Sequence, residues 1–309
     1  MKRIVAIAIL CLITTTGIII GCKNETNSNS APEETMTAGA ITIQVDNTIQ
    51  PIVEDVLAVF GSVYGKAHIT QVNRNESDIV NALLRDSASV VVLTRELTKG
   101  EEAHFIANGI TPKTTQFATD ALALITSKKS TDTIVNLGEV YKVLQGKTST
   151  TVKQLVFDNA GSSTVQYLMQ RAGVKQLPIS GVYSLKSTEE VIKFVHDNTG
   201  SIGVVGVNWL VQPPQELGNY VENIKVLGVD NVKFDKGAKH YYKPSQSNIA
   251  TGSYPLTRKL YVLNYQGKNG LGTGFANYIS APEGQRIILK SGLLPDKIPT
   301  REIEVRSEL

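Results

Sequence analysis

Residues 156–169, VFDNAGSSTVQYLM, run from an apolar start through Asn159, Ala160, Gly161, Ser162, Ser163 and Thr164 into a segment with helical spacing. A strand, a polar loop and a helix in that order form the building unit of an α/β chain. The loop is also a candidate anion cradle. Glycine lets the backbone approach a ligand, and the first N–H groups of a helix have no partner inside it. The same residues equally suit an ordinary Ser/Thr-capped helix start.

The pattern repeats outward. Before the stretch, ITIQV (41–45) reads as a strand, and residues 51–64 put Ile52, Val53, Val56, Leu57, Phe60 and Val63 on one helical face. AHITQV (67–72), SDIVNALLRD (77–86) and SVVVLT (89–94) read as strand, helix and buried strand. A helix over 98–108, the strand FATDALALIT (117–126) and a helix over 137–145 continue the series. After it come STEEVIKFVHD (187–197), a helix opened by Ser187 and Glu190 as a capping box, and the strand SIGVVGV (201–207). A polar irregular stretch from 213 to 252 precedes the strand SYPLTRKLYVLN (253–264) and two closing helical segments, stopped by Gly292 and Pro295. The expected class is α/β with mostly parallel strands.

The N-terminus stands apart from this pattern. Lys2 and Arg3 precede a 17-residue apolar run, Ile4 to Ile20, broken by three threonines, which has the form of a signal peptide. Gly21-Cys22 behind Ile19 and Ile20 resembles the lipobox of bacterial lipoproteins, which implies cleavage after residue 21 and acylation of Cys22. Cys11 lies inside the apolar run, so Cys22 is the one cysteine left after cleavage and has no internal disulfide partner. Residues 22–40 are dominated by Asn, Ser, Thr and Glu and read as a flexible tether. Loss of Lys2 and Arg3 takes the formal net charge from +3 to +1, which gives no support for a nucleic-acid or membrane-surface patch.

Catalytic patterns are missing. His68, His104, His196 and His240 are scattered, and with no free cysteine there is little from which to build a zinc site. GKTST (146–150) lacks the first P-loop glycine, where Tyr141 stands, and reads as a helix C-cap and polar loop. GLGTGF (270–275) has Phe275 in place of the third dinucleotide-binding glycine and reads as a flexible turn. No G-x-S-x-G elbow occurs. No catalytic residue, metal or cofactor is expected.

Seven segments, taken in order, resemble the phosphate-binding proteins of bacterial ABC transporters. They are ITIQVDNTIQPIVEDV, VVVLTRELTKGE with Thr94-Arg95, FATDALALIT, the NAGSST loop, GSIGVVGV, SYPLTRKLYVLN and SAPEGQRIILKSGLLP. The resemblance implies a two-lobed periplasmic binding protein fold of the second class, each lobe a mostly parallel sheet flanked by helices. Lobe one is then 41–125 plus 258–309, and lobe two is 126–257. It further implies a monomer on the periplasmic face of a bacterial membrane, delivering phosphate or a related small oxyanion to an ABC permease in the inner membrane.

Carried over position by position, the resemblance puts the first ligand loop on Asn47 and Thr48, the second near Ser77, and the fourth on Gly161, Ser162, Ser163 and Thr164, which stand at the family's Gly-Ser-Gly-Thr. Its proton-accepting aspartate falls on Ser89. Two further positions depart from the family pattern. The arginine ahead of the fourth loop falls on Asp158, and Gly-Ser at the first loop falls on Val45-Asp46. Arg95 reads as a satisfied structural arginine, with a ligand role as the alternative, and Asp120 as a hydrogen-bonding residue where the lobes cross. Fewer cations and more carboxylates also suit a second reading, an interaction or sensory lipoprotein on the same fold that has lost anion binding.

Overall fold

Alternating apolar residues make β1 (Ala38–Asp46) a strand with Ile43 and Val45 fully buried. The computed structural model describes residues 34–236 and 240–299, so Cys22 and most of the tether lie outside the described residues. A 3-10 turn, Asn47–Ile49, leads from β1 into α1 (Gln50–Val63). Pro51 occupies the first turn of α1, where its missing N–H leaves no bond unmade. The face holding Ile52, Val53, Val56 and Phe60 is buried as the spacing predicts, whereas Val63 is exposed.

β2 (Lys66–Arg74), α2 (Glu76–Leu84), β3 (Val90–Leu93), α3 (Lys99–Ala107) and the long β4 (Lys113–Ser127) follow. The next series is β5 (Ile134–Val135), α4 (Leu137–Leu144), β6 (Gln154–Phe157), α5 (Ser163–Ala172), β7 (Val182–Ser184), α6 (Thr188–Asp197) and β8 (Ser201–Gly206). α7 (Asn208–Val211) follows β8, and the stretch expected to be irregular holds short elements: α8 (Gly218–Glu222), β9 (Ile224–Val226), β10 (Gly228–Asp230), β11 (Tyr241–Tyr242) and α9 (Gln246–Ala250). β12 (Thr257–Asn264), α10 (Leu271–Ser280), α11 (Pro282–Lys290) and β13 (Leu294–Pro295) close the chain.

Three local expectations change. GLGTGF is not a turn but the start of α10, and its glycines serve close approach: a Cβ on Gly274 would collide with the Met36 carbonyl. Part of the expected tether belongs to the fold, because the Glu34 carboxylate accepts the Leu271 N–H at 2.8 Å and β1 starts at Ala38. Ser187 caps α6 through the Glu190 N–H at 3.3 Å, but Glu190 turns to the Lys186 N–H, so the reciprocal half of the box is not made there. The complete box is Thr98 with Glu101.

The main sheet runs β2-β1-β3-β12-β4-β8-β6-β7, with β13 and β9 also pairing with β4. Both flanks are parallel, β1 with β2 and β3, and β6 with β7 and β8. The centre is antiparallel: β12 runs against β3 and β4, and β4 against β8. Strand alternation divides the apolar residues between two faces. Val90, Val92, Leu260 and Val262 join Phe60, Phe117 and Phe275 in one cluster, while Val91, Leu93, Tyr261 and Leu263 join Ile79, Leu83 and Phe105 in another. A third cluster is built wholly from residues 121–256. Along β4 the core changes between Ala118 and Ala121, earlier than the expected boundary at 125, and it changes again between Leu256 and Leu260. Asp120 and Arg258 stand opposite one another in register at those two changes.

Candidate functional site

Arg258 lies on β12 at the inward-facing position between Leu256 and Leu260 and is 5 % exposed. Its Nε donates to Asp120 Oδ2 at 2.9 Å, and its Nη2 is also 2.9 Å from that oxygen. Its terminal nitrogens reach two hydroxyls from distant parts of the chain: Nη1 donates to Ser163 Oγ at 2.8 Å and Nη2 to Thr48 Oγ1 at 2.9 Å. The hydroxyls are 2.9 Å apart. Thr48 Oγ1 is also 2.9 Å from Asp46 Oδ1, which takes the Thr48 N–H as well. A carboxylate only accepts, so Thr48 donates to Asp46 and Ser163 donates to Thr48. Trp209 Nε1 donates to the Thr48 carbonyl at 2.9 Å and fastens the start of α7 to this turn.

Acceptors around this centre outnumber donors. Asp46 Oδ2, Asp120 Oδ1 and Asp158 Oδ1 are buried without a partner, as are both polar atoms of the Asn208 side chain. Asp158, 2 % exposed, directly follows β6. Burial pushes its carboxyl up to about 6; the Ser162 hydroxyl opposes the rise, and the neighbouring Asp46 adds to it. Burial also raises the Asp120 carboxyl, against the pull of the Arg258 guanidinium. Among the described residues, no three His, Cys, Asp or Glu side chains are placed to hold a metal ion.

The loops singled out in the sequence meet. Asn47 Nδ2 donates to Asn75 Oδ1 at 3.2 Å, just ahead of α2, and Ser77 Oγ donates to the Gly161 carbonyl at 3.3 Å. Gly161 N–H is taken by Asn159 Oδ1 at 2.8 Å. Ser162 is the N-cap of α5, with its Oγ accepting the Val165 N–H, and Ser163 and Thr164 are buried in the first helical turn. Asn47, Thr48, Ser77 and Gly161 to Thr164 therefore belong to one neighbourhood.

Ser89 lies elsewhere, exposed at the start of β3, with its carbonyl bonded to the Tyr265 N–H. The parallel register places it about 13 Å back along the strands from Asp46, since the loops gather at the other strand ends. Arg95 is tied to two carboxylates: Nε donates to Glu76 at 2.8 Å, Nη1 and Nη2 to Glu101 at 2.8 and 3.1 Å, and Nη1 also to the Glu96 carbonyl.

Sequence reasoning missed Arg258 and Asn208. Arg258 had a signal, because it stands on the same alternating face as Leu256, Leu260 and Val262. Asn208 had none, since the turn after β8 is placed by packing alone.

The model of the PBP-like family described as a PBP superfamily domain matches residues 30–283. The chain belongs to this family. It is 23 % identical over 317 aligned residues to the phosphate-binding protein PstS of Borreliella burgdorferi, covering 95 % of this chain and 99 % of that one. Its fold is that of solved binding proteins. A putative phosphate ABC transporter substrate-binding protein from Clostridium perfringens, solved with bound phosphate, superimposes with a TM-score of 0.67 at 18 % identity, over 84 % of this chain and 100 % of that one. An ABC-type phosphate transport receptor from Vibrio cholerae does so with a TM-score of 0.60 at 16 % identity, over 83 % and 100 %. Among the described residues no helix is long and apolar enough to cross a membrane.

Proposed function

We propose that this protein is an extracytoplasmic solute-binding protein that holds phosphate or a related small oxyanion at Thr48, Ser163 and Arg258 and presents it to an ABC permease. In this reading a lipid on Cys22 tethers a monomer to the membrane. Residues 121–256 form one lobe and the rest of the described chain the other, joined at Asp120 and Thr257–Arg258.

One observation carries the reading: both terminal nitrogens of a buried guanidinium donate to neutral hydroxyls, Nη1 to Ser163 alone and Nη2 to Thr48 while it also lies beside Asp120 Oδ2. An arriving anion takes over those N–H groups, and the Ser163 hydroxyl turns from Thr48 toward it. Asp120, bonded at Nε, keeps the guanidinium plane in place. Each charge-assisted bond contributes about 1.5–3 kcal/mol in such a site. The cation missing at position 158 is thus supplied by β12.

The free oxygens of Asp46, Asp120 and Asp158 favour a second reading, a sensory or interaction lipoprotein whose partner brings donors rather than negative charge. Calorimetric titration with phosphate, sulfate, molybdate and tungstate separates the two. Saturable phosphate binding is expected, and absence of heat with all four anions overturns the oxyanion site and leaves the second reading standing.

A further inference from the structure

Asn208 opens α7 with its side chain 1 % exposed, and neither Oδ1 nor Nδ2 has a partner. A buried amide with both sides unmet is strongly unfavourable unless something outside the chain fills it. Its position says what. The point at which a Cβ on Gly206 would stand is 2.6 Å from Asn208 Oδ1, 3.1 Å from the Thr48 carbonyl and 3.5 Å from Asp120 Oδ2. Across a residue with no side chain, the amide therefore borders the Asp120–Arg258 pair. Trp209, pinned to the Thr48 carbonyl, keeps α7 from moving away. Of the unpartnered atoms gathered here, the carboxylate oxygens of Asp46, Asp120 and Asp158 can only accept, and the Asn208 amide alone offers both a donor and an acceptor without adding charge.

We propose that Asn208 contacts the ligand and selects a protonated oxyanion, with Nδ2–H donating to an anion oxygen and Oδ1 accepting from an anion O–H. The inference rests on the oxyanion reading above. Hydrogen phosphate carries the O–H that this arrangement requires. Sulfate near neutral pH has none and leaves Oδ1 unpaired, so the amide separates two anions of similar size. A site built to hydrogen-bond a ligand O–H rejects an analogue lacking it far more strongly than an apolar pocket rejects a change of size.

The test is Asn208→Leu in the otherwise intact protein, compared with wild type in phosphate and sulfate titrations and in unliganded thermal melts. Replacing an unpaired amide by an apolar group of similar size leaves the unliganded melting point unchanged or raises it. Phosphate affinity falls about 10-fold or more, and the preference over sulfate shrinks by a similar factor. A variant that binds phosphate with wild-type affinity overturns the inference, and a lowered melting point alongside unchanged affinity makes Asn208 a structural residue. If Asn208→Leu does not fold, Asn208→Ala is read by the same affinity and preference criteria. Wild type that binds none of the anions overturns the oxyanion site and this inference together, whereas wild-type binding with an indifferent variant overturns this inference alone.

Discussion

Arg95 and Arg258 are both multiply bonded, but their acceptors differ in kind. The Arg95 side chain, 33 % exposed, is bonded to two carboxylates, Glu76 and Glu101. The Arg258 side chain, 2 % exposed, is bonded to one carboxylate and two hydroxyls. A carboxylate keeps its guanidinium against any incoming anion, because exchange would strand a negative charge. A hydroxyl can rotate and turn from acceptor to donor, so the guanidinium it holds stays available. Availability, not the mere presence of a cation, separates a ligand arginine from a structural one.

Arg258→Met breaks that contrast from one side and has the largest expected effect. It removes two charge-assisted donors, so phosphate affinity falls about 100-fold or more in calorimetry. It also leaves Asp120 buried and uncompensated, at a cost of about 3–5 kcal/mol in urea unfolding. Arg258→Lys keeps the charge, loses the fork, and supplies the affinity measurement if the methionine variant is too unstable. Arg95→Met should show the converse: stability falls by about 1–3 kcal/mol because Glu76 loses its partner, while phosphate affinity stays within about twofold. Loss of the ligand in Arg95→Met with retention in Arg258→Lys would invert the assignment.

Asp158 sharpens the comparison from the acidic side. Its folded-state pKa, about 6 against an ordinary 3.8, lies above the unfolded value, so the folded chain holds this proton more tightly. The stabilisation is complete below pH 3.8 and is lost as pH rises through about 6, leaving a buried carboxylate beside Asp46. Roughly two pKa units correspond to about 2–3 kcal/mol. Asp158→Asn should therefore be more stable than wild type at pH 7–8 by about that amount and should flatten the fall in stability between pH 4 and 7. Removing a charge opposed to the ligand should also tighten phosphate binding at pH 8. An unchanged pH profile would show that the Asp158 carboxyl titrates normally.

Much of the α/β series was legible in hydrophobic period, because each helix and strand has its own apolar face to bury. What escaped was set between segments. The antiparallel centre of the sheet depends on β12 inserting between β3 and β4, which no local pattern announces. Of the site, Thr48 and Ser163 could be read from helix starts, and Gly161, Ser162 and Ser77 from their loops. Arg258 could be read as a charge on an apolar strand face, but not its pairing with Ser163, 95 residues earlier in the chain. Ser89 was misplaced because alignment along a strand says nothing about which end faces the loops. GLGTGF was misread because Gly270 and Gly274 answer to Glu34 and Met36, far away in sequence.

The smallest effect isolates two adjacent serines that the sequence could not tell apart. Ser163 Oγ lies within hydrogen-bond distance of Arg258 and Thr48, whereas Ser162 Oγ accepts the Val165 N–H and its hydroxyl also holds the Asp158 carboxyl down. Ser163→Ala should therefore weaken phosphate binding about 10-fold with one donor gone from the anion. Ser162→Ala should leave affinity at pH 5 within about twofold and cost about 1 kcal/mol of stability, the usual loss of an N-cap. It should also move the Asp158 titration to higher pH, because the hydrogen bond that favours the charged form is gone. A shift in that titration without an affinity change at pH 5, where Asp158 stays protonated in both forms, would assign Ser162 to the carboxylate side of the site and Ser163 to the guanidinium side.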